Sequence, residues 1–135
     1  MKLDGAGDVT GTHRAWKRQD VGVFVTSPVE YKGRIYLLRP RGDLVCLDPQ
    51  TGETIWADAL PRGRRRFFAS PTIAGGVLYA AREDGTVFVA RVEDKFELLS
   101  EIPMNEQIIG TPVTDKGRLL LRGEKHLFCV ESAKR

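Results

Sequence analysis

Helical periodicity is missing from all 135 residues. No window repeats its apolar side chains at alternating steps of three and four, so helix should be nearly absent. No apolar run approaches the roughly 20 residues that cross a bilayer. Met1-Lys2-Leu3-Asp4-Gly5 carries no apolar core of a secretory leader. Cysteine is scarce: Cys46 and Cys129 stand alone, at no metal or redox spacing. The two histidines, His13 and His126, have no partner at ligand spacing and read as surface or packing residues. A nucleophile elbow and paired histidines are missing. Gly5-Ala6-Gly7-Asp8 is not followed by a helix and reads as a flexible lead-in rather than a phosphate loop. Acidic residues nowhere take calcium-loop spacing.

What the chain does have is a repeat. Ser27-Pro28-Val29-Glu30-Tyr31-Lys32-Gly33, Ser70-Pro71-Thr72-Ile73-Ala74-Gly75-Gly76 and Thr111-Pro112-Val113-Thr114-Asp115-Lys116-Gly117 align. Their prolines lie 43 and then 41 positions apart, each five residues before a glycine. Within the first unit, short β-branched and aromatic runs alternate with turns at Lys32-Gly33, Pro40-Arg41-Gly42-Asp43 and Asp48-Pro49-Gln50-Thr51-Gly52. Four short strands on a period near 40 residues form the blade of a β-propeller.

The expected fold is therefore all-β: a partial propeller of about three four-stranded, W-shaped antiparallel blades. Blades are predicted over 25–59 and 67–102, followed by three strands of a last blade over 108–132. Residues 1–17 are predicted to hold the last strand of a preceding blade, because Trp16 lies 40 positions before Trp56. That strand, Thr12 to Trp16, has the composition to complete the third unit and leave no open edge. Three blades are too few for a ring of the usual smallest size, about four. Upstream blades are then absent, or two chains pair into a ring of six. In the repeat register Cys46 and Cys129 fall on opposite faces of equivalent strands, two blades apart. Both are expected to be small buried hydrophobes, not a disulfide.

The run Cys46-Leu47-Asp48-Pro49-Gln50-Thr51-Gly52-Glu53-Thr54-Ile55-Trp56 resembles the repeat of the PQQ-like (quinoprotein dehydrogenase-type) β-propellers, Ala-x-Asp-x-x-Thr-Gly-Lys/Glu-x-x-Trp. The chain is also similar to the propeller of the lipoprotein that assists outer-membrane protein assembly, which carries no cofactor. In this motif Asp48 and Thr51 cap a turn, Gly52 takes a positive φ, and Trp56, like Trp16, packs on a neighbouring blade. The second unit departs from it: Arg91 replaces the Asp, Lys95 the Gly and Leu99 the Trp. In the third, His126 stands where the others have Gly42 and Gly85.

The quinoprotein resemblance implies a vicinal cysteine pair, a stacking Trp, a calcium held by Glu and Asn, and an Asp base. None of these is legible here, so no cofactor, no metal and no catalytic residue are expected. The alternative is the C-terminal fragment of a PQQ-dependent dehydrogenase whose cofactor site lies upstream. The family is mostly extracytoplasmic, and the resemblance alone favours that compartment.

The net charge is only +3, but it is unevenly spread. Arg62, Arg64, Arg65 and Arg66 fall in the loop between the first two blades. Arg39, Arg41 and Arg82 fall in loops predicted on the same face. Planar guanidinium groups suit carboxylates and phosphates, so this rim is the candidate partner-binding surface. Few aromatics interleave with the arginines, which argues against nucleic acid. The expected role is a non-catalytic interaction scaffold, its partner a protein or the missing blades, including a second copy.

Overall fold

The computed structural model describes residues 4–131. Positions 1–3 and 132, at the ends of the expected segments 1–17 and 108–132, lie outside them. Eleven strands follow in order: β1 (Val29–Tyr31), β2 (Arg34–Leu38), β3 (Asp43–Leu47), β4 (Thr54–Ala59), β5 (Thr72–Ala74), β6 (Val77–Ala81), β7 (Thr86–Arg91), β8 (Glu97–Pro103), β9 (Val113–Asp115), β10 (Arg118–Arg122) and β11 (Leu127–Glu131). They form three antiparallel meanders, β1-β2-β3-β4, β5-β6-β7-β8 and β9-β10-β11. This is a partial all-β propeller of three blades, the last with three strands among the described residues.

Local chemistry sets these boundaries. The hairpins β1–β2, β5–β6 and β9–β10 turn on Lys32-Gly33, Gly75-Gly76 and Lys116-Gly117, and all six residues have positive φ. Two consecutive positive angles define the tight turn whose twist matches paired strands, which is why each repeat keeps a glycine there. A register shift recurs between Cys46 and Leu47 and between Val89 and Ala90, so the outer strands of both complete blades start with the same bulge.

Each sheet uses its two faces differently. Tyr36, Leu38, Leu44 and Cys46 project from the first sheet into the core shared with Leu78, Ala80, Phe88 and Ala90 of the second. The opposite face of the second sheet, through Ala81 and Val87, meets Leu119 and Leu121 of the third. The first sheet's remaining face, Leu37, Val45 and Leu47, is covered by Trp16, Val21 and Val23. Both faces of that sheet are thus buried, and β2 and β3 read as nearly continuous apolar runs. Among the described residues the third sheet is covered on one side only, so Leu127 and Cys129 of β11 are exposed while Phe128 and Val130 are half-buried. Cys46 is buried, but Cys129 is not the buried hydrophobe expected from its sequence register, because none of the described residues covers its face.

The expected strand over Thr12–Trp16 is not formed, and this segment completes no sheet among the described residues. Residues 4–28 instead make an arm without strand that runs over the first sheet. The His13 and Thr12 amides both bond the Val9 carbonyl, which turns the chain sharply before Trp16. Its later anchors are side chains. Arg18 donates to the Gly52 carbonyl at 2.8 Å and pairs with Asp20, whose carboxyl it holds down at about 2. The buried Thr26 hydroxyl donates to the Leu38 carbonyl.

Candidate functional site

The β3–β4 turn is built from its own side chains. One Asp48 carboxylate oxygen accepts the Gln50 and Thr51 amides at 2.7 and 3.3 Å. The Thr51 hydroxyl accepts the Glu53 amide at 3.2 Å. Asp48 and Gly52 close the turn through backbone bonds of 2.9 and 2.8 Å, to Glu53 and from Gly52 to Asp48 respectively. Gly52 has φ +73, and a Cβ there would lie 2.5 Å from the Trp16 ring. The indole N–H of Trp16 donates to the Pro49 carbonyl at 2.7 Å. Turn and indole form one unit: the glycine admits the ring and the proline carbonyl fixes its edge.

Trp56 docks the first sheet on the second with different chemistry. Its ring lies 6.0 Å from Tyr36 and 6.4 Å from Phe96, both tilted. Its indole nitrogen is buried with no hydrogen-bond partner. The carbonyl in the place of Pro49 is that of Val92, and the Tyr36 hydroxyl donates to it at 3.2 Å. The turn between β7 and β8 runs from Arg91 to Glu97, one residue longer than Asp48 to Glu53. In consequence Ser100, opposite Val89, takes the place that Trp56 holds opposite Cys46. Leu99, expected there from the sequence alignment, is exposed.

A third departure lies at β10–β11. The first two blades close this hairpin with Arg39 N–H to Asp43 and Arg82 N–H to Thr86, and the third with Gly123 N–H to His126. The last turn is one residue shorter, and His126 aligns with Asp43 and Thr86 rather than with Gly42 and Gly85. Glu106, which sequence reasoning missed, braces it. Its carboxylate accepts the Lys125 and His126 amides at 2.6 and 3.2 Å and contacts His126 Nδ1 at 2.7 Å. Burial opposes this charge, yet these partners hold its pKa below the ordinary value.

Backbone ties join the loops that carry Arg39, Arg41, Arg66 and Arg82. The Phe67 amide bonds the Pro40 carbonyl at 2.8 Å, and the Glu83 amide bonds the Arg66 carbonyl at 3.0 Å. Arg39, Arg41 and Arg66 share a surface cavity of about 250 Å³ with Pro40 and Asp43. Arg65 lines another, of about 270 Å³, with Glu83, Asp84 and Gln107. Two of the seven arginines are differently placed. Arg62 is engaged by Asp43 at 2.8 Å. Arg82 is buried: it clasps Asp84, donates to the Pro61 carbonyl at 3.1 Å and lies 5.1 Å from the Phe88 ring centre. Burial works against the Asp84 carboxylate, but Arg82 and the Thr86 amide hold its pKa below the usual value. Arg82 therefore supports the rim from beneath. The acids Asp43, Glu83 and Asp84 divide the positive surface.

The residues present do not fit a quinone site. Cys46 is buried in the first sheet, Cys129 lies on the third, and both tryptophans are engaged in docking. Among the described residues no three His, Cys, Asp or Glu side chains converge as metal ligands. No helix of the structure is long and apolar enough to cross a membrane.

A family model described as outer membrane protein assembly factor BamB matches residues 6–95, from the arm through the second blade's outer turn. No curated protein matches the chain. Among solved structures, BamB from Moraxella catarrhalis superposes with a TM-score of 0.60 at 15% identity, over 76% of this chain and 29% of that one. The computationally designed Ika4 protein gives 0.66 at 12% identity, over 81% and 66%. Quinohemoprotein alcohol dehydrogenase ADHIIG from Pseudomonas putida HK5 gives 0.56 at 19%, over 78% and 17%. The chain spans less than two thirds of each of these proteins, and at such identities the likeness is one of fold.

Proposed function

Because the chain belongs to the family described as outer membrane protein assembly factor BamB, we propose that it is a non-catalytic PQQ-like propeller segment that serves as a protein-interaction scaffold, with its arginine rim as the contact face for an acidic protein partner. One observation carries this reading. Arg41, Arg64, Arg65 and Arg66 are exposed on loops whose backbones are tied to neighbouring loops, while Arg62 and Arg82 are engaged by acids. Guanidinium groups held this way meet carboxylates with little loss of loop entropy. The family description also supports work outside the cytoplasm, within a larger propeller.

Replacing Arg41, Arg64, Arg65 and Arg66 with Ser should weaken binding of a poly-glutamate peptide about tenfold or more and flatten its salt dependence. The circular dichroism of the fold should stay unchanged. An unaltered affinity would remove the rim. The similarity to a quinohemoprotein dehydrogenase is one of fold and does not favour catalysis. Dye-linked alcohol oxidation by the chain after loading with PQQ and Ca²⁺ would overturn the non-catalytic reading.

A further inference from the structure

The two blade interfaces are filled unequally. Between the first and second sheets, Trp56 lies against Tyr36, and Phe96 and Leu98 of the second blade's outer edge pack back on the same core. Between the second and third sheets, Ser100 stands in place of Trp56, and no strand lies outside β11 among the described residues. What remains is a cleft of about 440 Å³, lined by Tyr79, Val89 and Ile102 on one side and Leu119, Val130 and Arg118 on the other. Its floor is apolar and its volume suits an aromatic side chain.

Among the described residues, no strand pairs with the outer edge of β11 beside this cleft. Gly123 N–H bonds His126 C=O, and β10 and β11 pair Leu121 with Phe128 and Leu119 with Val130. Antiparallel pairs alternate, so Phe128 and Val130 exchange bonds with β10 while the amides of Leu127 and Cys129 face outward. No proline, bulge or lysine within β11 blocks that edge. The second blade shows how the position is used: β8 lies outside β7, and Phe96, just before β8, reaches the neighbouring core.

From these two observations we propose that the outer edge of β11 and the adjoining cleft form one groove for an extended peptide segment of a partner protein. The segment adds as a fourth strand antiparallel to β11 and inserts an aromatic side chain where the first interface holds Trp56 and Phe96. Continuity with the existing interface between the second and third sheets favours a single strand over a flat surface contact. The groove is separate from the arginine rim.

The test uses the full chain and a fluorescein-labelled peptide copying residues 94–103, Asp-Lys-Phe-Glu-Leu-Leu-Ser-Glu-Ile-Pro. Saturable binding by anisotropy is expected, at least about tenfold weaker when the peptide's Phe is Ala. Ser100→Trp, which fills the cleft from within, should weaken the Phe peptide about tenfold. Cys129→Pro, which removes an outward amide without touching the β10 ladder, should weaken both peptides. The rim substitutions should change nothing. Equal binding of both peptides to the unaltered chain, or none at millimolar concentration, would overturn the groove whether or not the variants fold. A β11-mediated dimer by light scattering that the peptide does not dissociate would also overturn it, and give the edge to a second copy.

Discussion

Trp16 and Trp56 stand 40 positions apart and each joins a segment to the next blade, yet their surroundings differ. Trp16 meets a turn made for it: Gly52 leaves room for the ring and the Pro49 carbonyl accepts its N–H. Trp56 meets a blade whose corresponding turn carries Arg91 and Lys95 and is one residue longer. There the equivalent carbonyl, on Val92, goes to the Tyr36 hydroxyl, and the indole N–H is left without an acceptor. The first joint is specified by hydrogen bonding and shape, the second by apolar area. When a repeat loses its turn motif, the docking side chain survives on packing alone, at the cost of an unpaired buried donor.

The strongest way to break this comparison is truncation. Trp56→Ala should cost about 3–5 kcal/mol, because the ring bridges Tyr36 and Phe96 within the principal core. Trp16→Ala should cost less, since both rings are half-buried but Trp16 packs on the smaller cluster of Leu37, Val45 and Leu47. Urea denaturation of both variants checks the order.

Titration of Tyr36 probes the burial of the hydroxyl that takes the Val92 carbonyl. Burial, with Cys46 close by, pushes its hydroxyl up to about 12. The unfolded chain loses this proton near 10 while the folded chain keeps it, so above 10 the folded state binds more protons and stability falls as pH rises. The contribution is fully present below about 10 and lost towards 12, on the order of 2 kcal/mol. Urea midpoints from pH 9 to 12 should show this slope, and Tyr36→Phe should flatten it.

The finest distinction comes from replacing only the indole N–H. Trp16→Phe should cost about 1–2 kcal/mol, losing the bond to Pro49. Trp56→Phe should stay within about 1 kcal/mol of the parent, because it also removes an unsatisfied donor. Equal costs by urea denaturation would erase the contrast between the joints.

Most of the blade architecture was legible because it rests on local rules. Proline five residues before a turn glycine, and Gly33, Gly76 and Gly117 with positive φ, mark equivalent hairpins whatever lies between. Turn length was harder. Neither the extra residue between Arg91 and Glu97 nor the missing one between Gly123 and His126 alters composition, yet each moves side chains by one place and reassigns Leu99 and His126. The arm failed for another reason: Thr12–Trp16 has strand composition, but its anchor is one indole on a tertiary platform, which no local pattern encodes. The turn signals put these arginines in loops, but separating Arg82 from the exposed ones needed the burial that Asp84, Pro61 and Phe88 create together. Glu83-Asp84, one and two residues after Arg82, was the available signal.

The arm over the first sheet has a consequence for assembly. A stack of like blades with one bare end invites head-to-tail addition, each copy's last sheet landing on the next copy's first, and such heterologous contacts propagate into filaments unless they close. Here Trp16, Val21 and Val23 already occupy the face that would receive the incoming sheet. The arm therefore works as a terminator, much as polar end repeats limit solenoids. Among the described residues, the exposed Val113 and Leu127 of the third sheet then meet a covered first sheet on another copy, and head-to-tail addition is blocked at that face.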